Sequence, residues 1–150
     1  MAQTYTSILL HIVFSTKGRS PIIRPDLQPD LFGYMGGIAR NLESPILRIG
    51  GVEDHLHMLV SLSKKLAVSD LLLNLKRDSS KWANAREDNH EHFAWQEGYS
   101  AFSIGESAVP ALTRYIDGQR DHHKTVSFQD EIRALAKKYG ITLDERYAWE

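Results

Sequence analysis

The chain has 150 residues, 42% of them hydrophobic and 25% charged, enough for a single unit spanning residues 1–150 with a core of its own. It contains no cysteine, which excludes disulfides, thiolate metal sites and thiol nucleophiles. A formal net charge of −1 argues against a polycation that coats nucleic acid, and the lack of a long apolar run or leader-like start predicts a cytoplasmic protein with no membrane partner.

From the N-terminus, Thr6 to Ser15 alternates Ile8, Leu10, Ile12 and Phe14 on one face with Leu9, His11 and Val13 on the other, predicting a central strand. Lys17-Gly18-Arg19-Ser20-Pro21 ends it as a basic turn. Leu31 to Leu42 reads as a helix despite Gly33, Gly36 and Gly37. Two β-rich runs, Ile46 to Val52 and His55 to Leu62, pair around Glu53-Asp54. Ser69 is placed to cap a second helix with the stripe Val68, Leu72, Leu75, Ser79 and Trp82, off which Lys76, Arg77 and Lys81 project. After a polar loop, Asn84 to Glu97, a last strand runs from Tyr99 to Ile104 with Phe102 and Ile104 on its core face. A helix from Ser107 to Lys124, capped by Ser107, and an amphipathic helix from Phe128 to Tyr139, ended by Gly140, complete the chain.

This β-α-β-β-α-β order followed by helices predicts an α+β, ferredoxin-like (split β-α-β) antiparallel sheet with helices on one face, the other face being left free for a site. Repeats and low-complexity tracts are absent, and so is a Gly-x4-Gly-Lys phosphate loop, so no nucleotide cofactor is expected.

The chemistry concentrates in His55 and His57. Side chains alternate along a strand, so the two imidazoles share one face, about 7 Å apart, while Leu56, Met58, Val60 and Leu62 share the other. Two neutral imidazoles so placed form half of a divalent-metal site, although a solvated histidine pair gives the same pattern. Tyr115 and Gln119 lie four residues apart on one helix face, flanking the apolar stripe Val109, Leu112 and Ile116. A hard divalent cation on His55, His57 and the Gln119 carbonyl would polarise a phosphodiester for attack by Tyr115. Ester exchange conserves bond energy, in keeping with the missing phosphate loop. Tyr99 is the rival nucleophile but reads as a packed strand tyrosine. His11 reads as structural, His90 and His92 as surface residues, and His122 and His123 as cations favoured at a helix C-terminus.

Six segments in order resemble one family: His11-Ile12-Val13-Phe14-Ser15-Thr16-Lys17, Asp54-His55-Leu56-His57-Met58-Leu59, Leu75-Lys76-Arg77-Asp78-Ser79-Ser80-Lys81-Trp82, Phe93-Ala94-Trp95-Gln96-Glu97-Gly98-Tyr99, Tyr115-Ile116-Asp117-Gly118-Gln119 and Asp144-Glu145-Arg146-Tyr147. The chain is similar to the single-tyrosine transposases of the HUH superfamily (transposase IS200-like), which serve small insertion sequences moving as single strands and include the REP-associated tyrosine transposases. The resemblance implies a ferredoxin-like fold, His55 and His57 as metal ligands, Gln119 as the third ligand and Tyr115 as the nucleophile that forms a 5′-phosphotyrosine. It also implies Mg²⁺ or Mn²⁺ as cofactor, single-stranded DNA with a hairpin as substrate, and a homodimer in which one subunit's tyrosine helix can complete the partner's site. Charge alone nominates Lys17, Arg19, Lys76, Arg77 and Lys81 for phosphate contacts. Members of that family are usually basic, so the charge of −1 bears on DNA affinity rather than on the chemistry. The alternatives are a non-catalytic single-strand or hairpin binding domain derived from such a transposase, and a hydrolase using water at the same ion.

Overall fold

The computed structural model describes residues 2–150. Its elements are β1 (Leu9–Ser15), α1 (Gln28–Asn41), β2 (Ile46–Gly51), β3 (His55–Ser61), α2 (Val68–Asn84), β4 (Ser100–Ile104), α3 (Val109–Asp117), α4 (Gln119–His122) and α5 (Phe128–Lys138), with single 3₁₀ turns at Lys17–Arg19 and Glu106–Ala108. The four strands lie in the order β2-β3-β1-β4, every neighbouring pair antiparallel. Strand β3 is thus inserted between β1 and β2, the split β-α-β arrangement that the sequence predicts. No helix among the described residues is long and apolar enough to cross a membrane.

The main core lies between the sheet and the helices α1 and α2. Leu10, Ile12 and Phe14 of β1 and Leu56, Met58 and Val60 of β3 meet Leu31, Met35 and Ala39 of α1 and Leu71, Leu72 and Leu75 of α2, with Phe93 and Trp95 closing one end. Helix α1 begins at Gln28 rather than Leu31, because Pro29 sits in its first turn, where no intrahelical N–H is required. Ser69 lies inside α2 rather than capping it, Ala67 being the N-cap. Trp82 sits at the rim of this core instead of inside it, stacked on Tyr34 at 5.1 Å between ring centroids.

The other face of the sheet is covered, contrary to the expectation that it stays free. Helix α3 packs Leu112 and Ile116 on Leu9 and Leu59, and α5 packs Phe128 and Ile132 on Val13 and Phe102. Phe102 and Ile104 belong to this second core, since β4 pairs Phe102 with His11 and Ile104 with Leu9. Gly50 allows α3 to lie close on β2: a Cβ there would stand 2.7 Å from the Ile116 carbonyl oxygen. The helix expected from Ser107 to Lys124 is divided at Gly118, the C-cap of α3 and N-cap of α4. Pro110 falls in the first turn of α3 as expected, but the N-cap is Ala108, with Ser107 in the preceding 3₁₀ turn. Ser127 caps α5 by accepting from the Asp130 N–H at 3.1 Å, and Gly140 follows the helix at φ +69°.

Candidate metal and nucleophile site

Strand alternation turns His55 and His57 toward α3, α4 and α5, which bury them to 1% and 0% exposure. Each imidazole is held from behind. His57 Nδ1 lies 2.8 Å from His11 Nε2, and His55 Nδ1 lies 2.7 Å from Asp54 Oδ1. Asp54 can only accept, so His55 carries its proton on Nδ1 and presents Nε2 to the interior; His11 can fix His57 in the same tautomer.

The Nε2 atoms converge on one carboxylate oxygen, Glu131 Oε1, at 2.9 Å from His57, 3.0 Å from His123 and 3.4 Å from His55. His55 Nε2 and His123 Nε2 are 2.9 Å apart. The donor atoms of His55, His57, His123 and Glu131 all lie within 4.8 Å of one another, close enough to ligate one ion. Gln119 is also buried, and its Oε1 is an acceptor with no hydrogen-bond partner, an orphan that a cation would satisfy. Imidazole nitrogens with carboxylate and amide oxygens make a donor set suited to a divalent ion such as Mn²⁺, and the residues present fit such a group.

Tyr115 meets the cluster through the same carboxylate. Its hydroxyl donates to Glu131 Oε2, while His122 Nε2 lies 3.2 Å from that oxygen in a geometry that makes no hydrogen bond. The nucleophile candidate and the histidine pair are thus joined within one chain. Arg48 binds Asp117 in a fork at 2.7 and 2.6 Å, and Arg120 binds Glu53 at 3.0 Å, tying the segment on both sides of Gly118 to the β2–β3 hairpin. A cleft of about 540 Å³ between α3 and α5, lined by Leu112, Tyr115, Glu131, Leu135 and Tyr139 among others, leads to the hydroxyl.

Electrostatics follow from burial and from Glu131. Burial pushes the Tyr115 phenol up, and the neighbouring carboxylate pushes it further, well above the ordinary tyrosine value, with the Gln119 amide opposing. Burial would raise Glu131, but hydrogen bonds from His123, His55 and His57 outweigh it and hold the carboxyl well below its usual range. Burial lowers His11 to about 3 and lowers His57. At His55 burial is overcome by Asp54 and Glu131, which raise it to about 9.

The structure brings together His55, His57 and Tyr115 and adds His123, Glu131 and His11, while Gln119 is buried beside Tyr115, its amide donating to the Tyr115 carbonyl at 3.4 Å. Glu131 interrupts the apolar stripe of α5 between Phe128 and Ile132, and a carboxylate in such a stripe is itself a signal of a buried polar contact. His123 is the C-cap of α4, as its position suggested, but its ring turns into the cluster. The five nominated cations are dispersed. Lys17 and Lys81 are exposed, and Arg77 is held by Asp78 at 2.9 Å and Asn74 at 2.7 Å. Arg19 donates to the Gln129 side-chain oxygen at 2.9 and 3.0 Å, beside a recess that includes Asp54 and His123. Lys76 turns inward, and its ammonium donates to the carbonyls of Gln96, Glu97 and Gly98 at 2.5–3.2 Å, which takes all three of its donors. Tyr99 lines the groove along α2 with Lys76 and Arg77 and takes no place in the cluster.

Comparison with known proteins gives concordant matches. The ISDra2 transposase TnpA of Deinococcus radiodurans is 21% identical over 116 residues, covering 74% of this chain and 83% of that protein. A D. radiodurans chain solved as a candidate transposase superposes with a TM-score of 0.59 at 17% identity, over 79% of this chain and 96% of that one. The REP-associated tyrosine transposase bound to a REP hairpin superposes with a TM-score of 0.63 at 13% identity, over 84% and 74% of the two chains. These superpositions establish a shared fold, and the family model described as "Transposase IS200 like" matches residues 4–119, most of the chain. By its sequence over that stretch, and with a ferredoxin-like sheet to carry it, the chain belongs to the IS200-like transposase family.

Proposed function

We propose that the chain, acting as one unit, is a divalent-metal-dependent DNA strand transferase that cuts and rejoins single-stranded DNA through a 5′-phosphotyrosine on Tyr115. The observation that carries this reading is the meeting of the Tyr115 hydroxyl and the Nε2 atoms of His55 and His57 on the two oxygens of Glu131. Tyr115 Oη forms a bond to phosphorus while the bond from phosphorus to the 3′ oxygen breaks. The phenolic proton is transferred in net terms to the departing 3′-hydroxyl, and reversal with another 3′-hydroxyl rejoins the strand. One ester replaces another, so no nucleotide is consumed.

The residues that would hold the ion are His55 and His57, whose ligand atoms cluster with those of His123 and Glu131, and Gln119, whose buried amide oxygen has no partner. Bound there, a divalent cation, Mg²⁺ or Mn²⁺, would polarise the phosphodiester and offset the anionic charge that opposes phenolate formation. Burial and Glu131 hold the Tyr115 phenol above its ordinary value, and a cation at this point would oppose that shift. His11 and Asp54 keep the two ligating nitrogens turned inward.

Family membership and a neighbour solved with a REP hairpin support hairpin-bearing single-stranded DNA as substrate. Lys17, Arg19, Arg77 and Lys81 are the phosphate contacts of this reading, Lys76 being engaged within the fold. The homodimer implied by the resemblance would serve to hold two DNA ends, since Tyr115 reaches the cluster of its own chain.

The test is a denaturing gel of the full chain with 5′- and 3′-labelled hairpin single strands and Mn²⁺, beside Tyr115→Phe and His57→Ala. The expected result is a covalent adduct carrying the 5′ end of the downstream fragment, lost in both variants and on chelation. Hairpin binding without any adduct would replace the transferase reading with that of a binding domain.

A further inference from the structure

We infer that Glu131 ligates the divalent ion through Oε1 and, through Oε2, acts as the positioning residue that holds the Tyr115 hydroxyl beside it. This rests on the metal-dependent reading above and assigns a donor from α5, beyond the stretch 4–119 that matches the family.

The geometry divides the carboxylate between two tasks. Oε1 faces His57, His123 and His55 at 2.9, 3.0 and 3.4 Å, and Oε2 takes the Tyr115 hydroxyl. Its residue is 2% exposed, on a helix face otherwise apolar, so the charge has been taken out of water and needs a fixed counter-charge. With Nδ1 of His55 committed to Asp54, Nε2 is the nitrogen that faces the carboxylate oxygen, and it becomes a ligand once an ion displaces its proton. Contacts at such distances require positive charge at the centre: imidazole N–H groups supply it in the absence of an ion, and a shared divalent ion would supply it for all the donors at once.

Three features hold Glu131 there. Ser127 caps α5, Phe128 and Ile132 anchor it in the core with Val13 and Phe102, and Phe128 lies 4.7 Å from the His55 ring between centroids. A carboxylate on a packed helix is a preorganised ligand, whereas Gln119 offers a neutral oxygen from the short helix after the Gly118 break. With Oε1 given to an ion, Oε2 would hold the phenol beside it without tyrosine serving as a ligand.

Full-length wild type, Glu131→Gln, Glu131→Asp, Gln119→Ala and Tyr115→Phe would be titrated with Mn²⁺ by electron paramagnetic resonance, with circular dichroism as the folding check. Glu131→Gln should weaken Mn²⁺ binding about 10-fold or more, with partial recovery in Glu131→Asp and little change in Tyr115→Phe. At saturating Mn²⁺, the rate of adduct formation should stay depressed in Glu131→Gln while DNA affinity is unchanged. If Glu131→Gln does not fold, Glu131→Asp carries the test: Mn²⁺ affinity below wild type in a folded protein supports the assignment, and wild-type affinity counts against it. Wild-type Mn²⁺ affinity in Glu131→Gln, with wild type forming adducts, overturns the inference and leaves the strand-transferase reading standing. Failure of wild type to bind Mn²⁺ overturns both.

Discussion

The Nδ1 atoms of His55 and His57 are hydrogen-bonded to Asp54 and His11, and those contacts determine which nitrogen of each ring is offered to a cation. Asp54 is only partly buried, so replacing it should spare the core. Asp54→Ala frees the His55 ring to rotate and to change tautomer, and should weaken Mn²⁺ binding about 10- to 100-fold with an unchanged circular dichroism spectrum, as read by metal titration. The two histidines, Tyr115 and Gln119 were legible as candidates because their spacing is local: alternation along a strand and one turn along a helix each place a pair on one face. Glu131 and His123 were not, because what brings them to His55 is the packing of α5 and α4 across the sheet, which no short spacing encodes.

At the level of elements, α2 shows how a cation can belong to the fold. Lys76 sits on the helix flank as a phosphate contact would, yet its ammonium ties the carbonyls of the segment before β4 to α2 and lies 5.1 Å from the centre of the Phe14 ring. Burial lowers its pKa to about 8. Lys76→Met removes the donors and leaves three carbonyls to find other partners. It should lower stability in urea by about 1–3 kcal/mol, while Lys81→Ala leaves the transition in place. Most elements were legible because binary pattern and caps coincide, as at Ser127 and Gly140. The division of the helix at Gly118 was not, since Tyr115 and Gln119 keep helical spacing across it and only the ion pairs to Arg48 and Glu53 on either side reveal where the segment is held.

The whole molecule is a sheet with a core on each side, and the two cores have different consequences when disturbed. Leu72 packs between the sheet and α1, and Ile132 packs beneath α5. Leu72→Ala and Ile132→Ala should each cost about 2–5 kcal/mol by chemical denaturation. Only Ile132→Ala should also weaken Mn²⁺ binding, because α5 carries Glu131; equal loss in both would show that the cores are not separable. The β-α-β-β-α-β order was readable from the pattern of periods. The covering of the second face was not, because an apolar stripe on α3 or α5 declares that a helix must be buried without naming the surface it meets. The ion pairs that fasten the tyrosine segment to its own hairpin carry a further implication. If the Tyr115 segment serves the histidines of its own chain, a Tyr115→Phe subunit paired with a His57→Ala subunit forms no adduct, whereas adduct formation by the mixed pair shows that the segment is exchanged between subunits. In genetic terms, complementation between a lesion at Tyr115 and one at His57 is the measure of that exchange.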